Sequence, residues 1–274
     1  MALPCARSAD YDSVEYGEQI IDTAVEAFGG VDILINNAGI LRDKSFRRMS
    51  EADWELIMTV HLKGVFACTK AAWDIMYERG FGRIVNVASP AGLYGNVGQA
   101  NYATAKMGMM GLTQTLGKEA RRSKKDINVN CIAPLAGTRM LESIYPPELV
   151  KLLKVEHIVS LVLYLCHDSN EETGSVIECS GGAYQKVQLA RASGYLHDLS
   201  KGDPTVEDVA ENFSQVVDMS DHVLADHGTM MPGSMKGIRN VAKYVAWTPS
   251  EWVKVLSSAG GWALGQLTGA KPKL

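Results

Sequence analysis

Tyr102 and Lys106 lie four residues apart in the segment QANYATAK, residues 99–106. On a helix that spacing puts both side chains on one face. An isolated tyrosine hydroxyl titrates near ~10, too high to serve as a base at neutral pH. A neighbouring ammonium favours the phenolate and lowers that value, so the pair becomes a usable proton donor and acceptor. Ser89 stands thirteen residues before Tyr102, where its hydroxyl could hold a substrate oxygen. Ser89, Tyr102 and Lys106 are therefore the candidate catalytic group, and the chemistry they suggest is proton transfer at a hydroxyl or carbonyl oxygen.

Such a group needs a rigid frame, and the surrounding sequence alternates helix and strand. VEYGEQIIDTAVEAFGG carries Ile20, Ile21, Ala24 and Ala27 on one stripe and stops at Gly29-Gly30. VDILINNAG (31–39) is a short apolar run closing in turn residues, which predicts a buried strand and a loop. Residues 50–80 predict one long helix, opened by Ser50 with Asp53 three positions later. GRIVNVAS (82–89), a helix over roughly 100–121, INVNCIAP (127–134), a helix over 146–168 and GSVIECSGG (174–182) complete the alternation. Short strands alternating with helices mean βαβ units and a parallel sheet, with ligands at the carboxyl ends of the strands. Those ends carry NNAG, ASPAG, APLAG and SGG, small-residue loops that admit a flat ligand close to the backbone.

Composition narrows the class. Of 274 residues 46% are hydrophobic and 21% charged, the balance of an ordinary globular protein. A net charge of −4 gives no sequence-wide basic field for nucleic acid, so no nucleic-acid partner is expected. The five cysteines are scattered without a C-x-x-C pair, which fits buried free thiols better than disulfides or zinc. No apolar run reaches the ~18 residues of a membrane span. DHVLADHG (221–228) spaces its two histidines five apart, which is wrong for one helical face, and no metal is expected. The expected organisation is a core over 11–186, a helical extension over 187–219 with one helix at 202–219, and a tail over 220–274 without clear period.

NNAG at 36–39, Ser89 and Tyr-x-x-x-Lys at 102–106 together resemble the short-chain dehydrogenase/reductase family. VDILINNAGILRDKSF, VHLKG, GLYGNVGQANYATAK and IAPLAGTRM are similar to the (3R)-hydroxyacyl-CoA dehydrogenase units of peroxisomal multifunctional β-oxidation enzymes, from about Tyr11 to about Asp218. The resemblance implies an α/β fold with a doubly wound, Rossmann-like parallel sheet and NAD as cofactor. It implies oxidation of a (3R)-3-hydroxyacyl-CoA to the 3-ketoacyl-CoA. Tyr102 would be the acid/base, Lys106 would tune it and hold the nicotinamide ribose, and Ser89 would orient the substrate oxygen. Asn37 would lie against the cofactor, Ser13 and Val14 would touch its adenine end, and Pro134, Leu135, Ala136 and Gly137 would border the nicotinamide. A homodimer through the helices at 50–79 and 100–121, or pairing with a full-length relative, is implied, as is a peroxisomal location. The C-terminal Pro-Lys-Leu keeps two residues of the peroxisomal signal.

The sequence departs from the family pattern in several places, among them Leu135 where a polar residue is usual and Pro90 directly after Ser89. His61 stands where most of the wider family has an asparagine. No glycine precedes Asp12, so the glycine-rich pyrophosphate turn and the ribose-binding acid that follows it are not found. The expectation is a fold truncated at its N-terminus, with Ile33, Leu34 and Ile35 on an unpaired sheet edge. The alternative to an enzyme is a non-catalytic remnant or interaction subunit.

Overall fold

The structure is a computed structural model, which describes residues 14–138 and 147–224. The chain divides into two compact units, one running to Val187 and one starting at Gln188.

In the first unit helix α1 (Val14–Phe28) leads into β1 (Ile33–Asn36). Then come α2 (Glu51–Met58), a π-helical turn (Thr59–Lys63) and α3 (Gly64–Arg79). Strand β2 (Phe81–Val87), the short α4 (Pro90–Tyr94), α5 (Ala100–Ser123) and β3 (Asp126–Leu135) follow. Helices α6 (Pro147–Leu152) and α7 (Glu156–Cys166) precede the strands β4 (Val176–Ser180) and β5 (Ala183–Val187). The strands lie in the order β1-β2-β3-β4-β5, and the first four are parallel. This is the mixed α/β, mostly parallel sheet of a Rossmann-like fold.

Strand residues alternate between two cores, as the two-residue period of a strand requires. Ile84, Ile127 and Val129 pack with Ile21 of α1, Ala72 and Met76 of α3 and Ala120 of α5. Val85, Ile132 and Cys179 face the other way, onto Leu165, Leu161 and Ile158 of α7. At the N-terminal end of β2 the fully buried Arg83 guanidinium donates to the carbonyls of Gly82, Asp126, His167 and Asp168 and pairs with the Asp126 carboxylate at 2.9 Å. That staple leaves the opposite, C-terminal rim of the sheet free for a site.

Three local features differ from the sequence expectations. The long helix over 50–80 is interrupted by the π turn, which inserts an extra residue and brings His61 inward to 1% exposure. The helix over 146–168 breaks between Leu152 and Glu156. An additional strand, β5, pairs antiparallel with β4 across Gly181-Gly182, both at positive φ. The glycine pair is itself the hairpin signal, because only such residues take a tight two-residue turn without strain. As expected, β1 is an edge strand among the described residues, with Ile33 and Ile35 48% and 46% exposed; Leu34 instead turns into the core.

The second unit is not purely helical. Strand β6 (Ala190–Ala192) pairs antiparallel with β7 (His222–Leu224). The helix expected over 202–219 is two short ones, α8 (Val206–Glu211) and α9 (Phe213–Val217), separated at Asn212. Thr205 and Asp208 form a capping box at the start of α8.

Candidate active site

The site forms where β2 and β3 end and α5 begins. Ser89 follows β2 in extended conformation and caps α4, its hydroxyl accepting from the Ala91 amide at 3.2 Å. Pro90 sits at the first helical position, where its missing N–H costs nothing. Tyr102 and Lys106 lie on the first two turns of α5 and turn inward, Lys106 to 3% exposure. The structure brings all three together: the Ser89 hydroxyl is near enough to act on the Tyr102 hydroxyl, and the Lys106 Nζ lies 5.5 Å from the Tyr102 ring centre. Gly92 permits this closeness, since a Cβ there would fall 2.7 Å from the Lys106 Cβ.

Electrostatics differ from the simple expectation for a Tyr-Lys pair. The Tyr102 hydroxyl is raised above its ordinary value, first by burial and further by the Asp43 carboxylate, with the Ser89 hydroxyl opposing. Lys106 does not offset this. Its Nζ donates to the Val87 carbonyl at 2.5 Å and lies over the ring face. Burial lowers Lys106 itself to about 8. Removing a charge from water outweighs the mutual attraction when both partners are buried.

Residues that the spacing argument did not single out hold the pair in place. Asn101 accepts from the Tyr102 amide at 2.8 Å and donates to the Arg42 and Asp53 carbonyls. Gln99 donates to Asp43 at 2.7 Å, so the 40s loop is tied to the start of α5. Across the sheet runs a buried chain of amides and hydroxyls. Asn36 donates to Thr69 and Asn86, and Asn86 donates to Thr113. Asn36 and Asn86 sit at strand positions that a purely apolar pattern would fill with valine, which is the signal that could have marked them, while Thr69 and Thr113 meet them from α3 and α5.

His61 packs edge-to-face on Tyr102 at 5.1 Å, with its Nε2 2.7 Å from the Ile40 carbonyl. Burial and the nearby Lys106 charge lower it to about 4, so the ring is neutral at physiological pH. Gly39 is required for this packing, because a Cβ there would lie 2.6 Å from the ring.

Of the expected cofactor contacts, Asn37 is exposed just beyond β1, at the same rim. Pro134 and Leu135 end β3, and Ala136 and Gly137 follow. The Gly137 amide donates to the Leu153 carbonyl at 2.5 Å, and a Cβ at Gly137 would strike the Val150 carbonyl. Val14 opens α1, while Ser13 lies outside the described residues. The Pro-Lys-Leu terminus and the tail from 225 also lie outside them.

The short chain dehydrogenase profile matches residues 5–148. The chain belongs to the short-chain dehydrogenase family. Its relatives within that family include peroxisomal multifunctional enzyme A of Dictyostelium discoideum, 51% identical over 209 residues, covering 76% of this chain and 46% of that protein. The solved structure of full-length peroxisomal multifunctional enzyme type 2 from Drosophila melanogaster superposes with a TM-score of 0.70 at 37% identity, over 86% of this chain and 40% of that one. A short chain dehydrogenase from Mycobacterium avium gives 0.65 at 33% identity, over 78% and 75% of the respective chains. The chain thus spans less than half the length of the multifunctional relatives. Short-chain dehydrogenases use NAD or NADP as a class. Among the described residues no helix is long and apolar enough to cross a membrane.

Proposed function

We propose that the chain carries out NAD-dependent oxidation of (3R)-3-hydroxyacyl-CoA to 3-ketoacyl-CoA in peroxisomal β-oxidation. The observation that supports this reading is the convergence of Ser89, Tyr102 and Lys106 on the C-terminal rim of the sheet. The two hydroxyls lie close enough to influence one another and would both grip the substrate 3-oxygen. Tyr102 would take the proton from that oxygen in oxidation and return it in reduction. NAD, when bound, supplies the hydride acceptor.

The nicotinamide side of the cofactor fits the residues present. The Lys106 ammonium is buried with one carbonyl acceptor, Val87, which leaves N–H donors for a ribose hydroxyl. Asn37 and the Pro134–Gly137 loop would border the ring, and Ser13 and Val14 the adenine end. The peroxisomal location is proposed from the relatives' names.

Tyr102→Phe removes the proton carrier and should lower turnover by roughly 10²-fold or more, read as NADH formation from a (3R)-3-hydroxyacyl-CoA. Unchanged turnover would end this mechanism. Tyr102 is raised above its ordinary value, so its phenolate forms on the alkaline side, and the Lys106 charge that would favour it is lost near pH 8. Oxidation should therefore climb through the alkaline range, the side on which the Tyr102 base becomes available, and reduction should not. A flat oxidation profile over that range would contradict the assignment.

A second reading is favoured by the β1 edge, which is unpaired among the described residues: an interaction subunit that pairs with a full-length relative. Co-purification with such a relative, together with no heat on titration with NAD⁺, would select it.

A further inference from the structure

The loop between β1 and α2 carries an excess of positive charge beside the acid/base pair. Residues 41–50 include Arg42, Lys44, Arg47 and Arg48 against one carboxylate, Asp43, in a chain of net charge −4. Lys44 is engaged by Asp53 at 2.7 Å. The Arg48 Nε donates to the Ser45 hydroxyl at 3.1 Å, which leaves the two terminal nitrogens of its fork available. Arg42 makes only a local bond, to the Leu41 carbonyl. Among the described residues Arg47 has no side-chain hydrogen bond or ion pair. Between them, at the start of a 3-10 turn (Phe46–Arg48), the Phe46 ring is 77% exposed.

This loop is fixed relative to the site. The Lys44 amide donates to the Gly98 carbonyl at 2.9 Å, and Asp43 accepts from Gln99. Asn101, the neighbour of Tyr102, donates to the Arg42 carbonyl at 3.3 Å. Asp43 is close enough to Tyr102 for its charge to act on the hydroxyl. The loop thus presents an exposed aromatic ring flanked in sequence by guanidinium side chains. It suits a ligand that joins a flat heterocycle to phosphates, because arginine forks chelate phosphate oxygens and the ring stacks on a base.

We infer that Arg42, Phe46, Arg47 and Arg48 form a binding lip for the phosphorylated adenosine end of the substrate's coenzyme A. This rests on the acyl-CoA reading of the site. The same chemistry, adenine with pyrophosphate, also occurs in NAD, and the test separates the two sources.

The experiment compares the full-length chain with an Arg47→Ala/Arg48→Ala double variant and with Phe46→Ala, each checked for native circular dichroism. Calorimetric titration with free coenzyme A should show at least tenfold weaker binding to the double variant and a steeper fall with salt for the unaltered chain. Titration with NAD⁺ should not separate the variants from the unaltered chain. With substrates, the ratio of kcat/KM for a 3-hydroxyacyl-CoA to that for the matching N-acetylcysteamine thioester, which lacks the nucleotide, should fall about tenfold or more. Absence of coenzyme A binding by the unaltered chain, equal binding by all three proteins, or a loss confined to NAD⁺ would overturn the inference. Inactivity on both thioesters with coenzyme A binding still dependent on Arg47 and Arg48 would overturn the catalytic reading and leave the lip standing.

Discussion

At one edge of the main sheet β5 turns Tyr184, Gln185 and Lys186 to solvent, and Lys186 pairs with Glu172 at 2.8 Å. At the other edge β1 turns Ile33 and Ile35 outward, each close to half exposed. A lysine on an edge strand discourages another strand from adding to it, whereas an apolar edge invites one. The β5 edge is thus written as a boundary. The β1 edge has the composition of an interior strand, and only its last residue, Asn36, is locked into the buried amide chain with Thr69 and Asn86. Ser89, Tyr102 and Lys106 belong to the well-bonded part between these edges.

Amide exchange offers the sharpest contrast. In a parallel pair alternate amides point away from the partner strand. About half of the β1 amides should therefore exchange 10²-fold or more faster than those of β2, which is paired on both sides. Uniform protection of residues 33–36 would mean that this edge is covered, and would erase the contrast with β2.

Smaller effects test where stability resides. Asn86→Leu strips both Asn36 and Thr113 of a buried partner and should cost about 1–3 kcal/mol in chemical denaturation. Ile33→Thr, on the open edge, should stay within about 0.5 kcal/mol. Equal losses would mean that the two sides are equally packed.

The smallest effect concerns the start of α2. Asp53 is held near 2, chiefly by Lys44 and then Ser50, below its ordinary 3.8. A carboxylate lowered on folding stabilises the fold above its unfolded value and loses that contribution as pH falls through the folded one. Asp53→Asn should flatten the loss of stability between about pH 4 and 2. An unchanged acid profile would show that the Lys44–Asp53 pair contributes nothing measurable.

Much of this could be read without coordinates. Apolar runs of strand length ending in NNAG, ASPAG and APLAG placed the loops on one rim, and the Tyr-Lys spacing placed both side chains on one helix face. The π turn at Thr59–Lys63 could not be read that way, because a single inserted residue leaves the apolar period nearly intact. Nor could the raised Tyr102 hydroxyl. Spacing shows that an ammonium is near, but only burial and the position of Nζ over the ring determine which influence is larger. The two short helices after Thr205 merged into one for a similar reason, since Asn212 interrupts the helix without a proline or glycine to mark it.

The sequence alone determined the alternation of strand and helix and the family, and it singled out the Ser89, Tyr102 and Lys106 trio, because these depend on residue type at short range. Tertiary structure decided the rest. It set the fully buried Lys106 against the Val87 carbonyl, packed His61 on Tyr102, and put the arginines of the 40s loop beside α5. Those outcomes arise from side chains 19 to 59 residues apart competing for the same buried space and the same carbonyls, which no local pattern encodes.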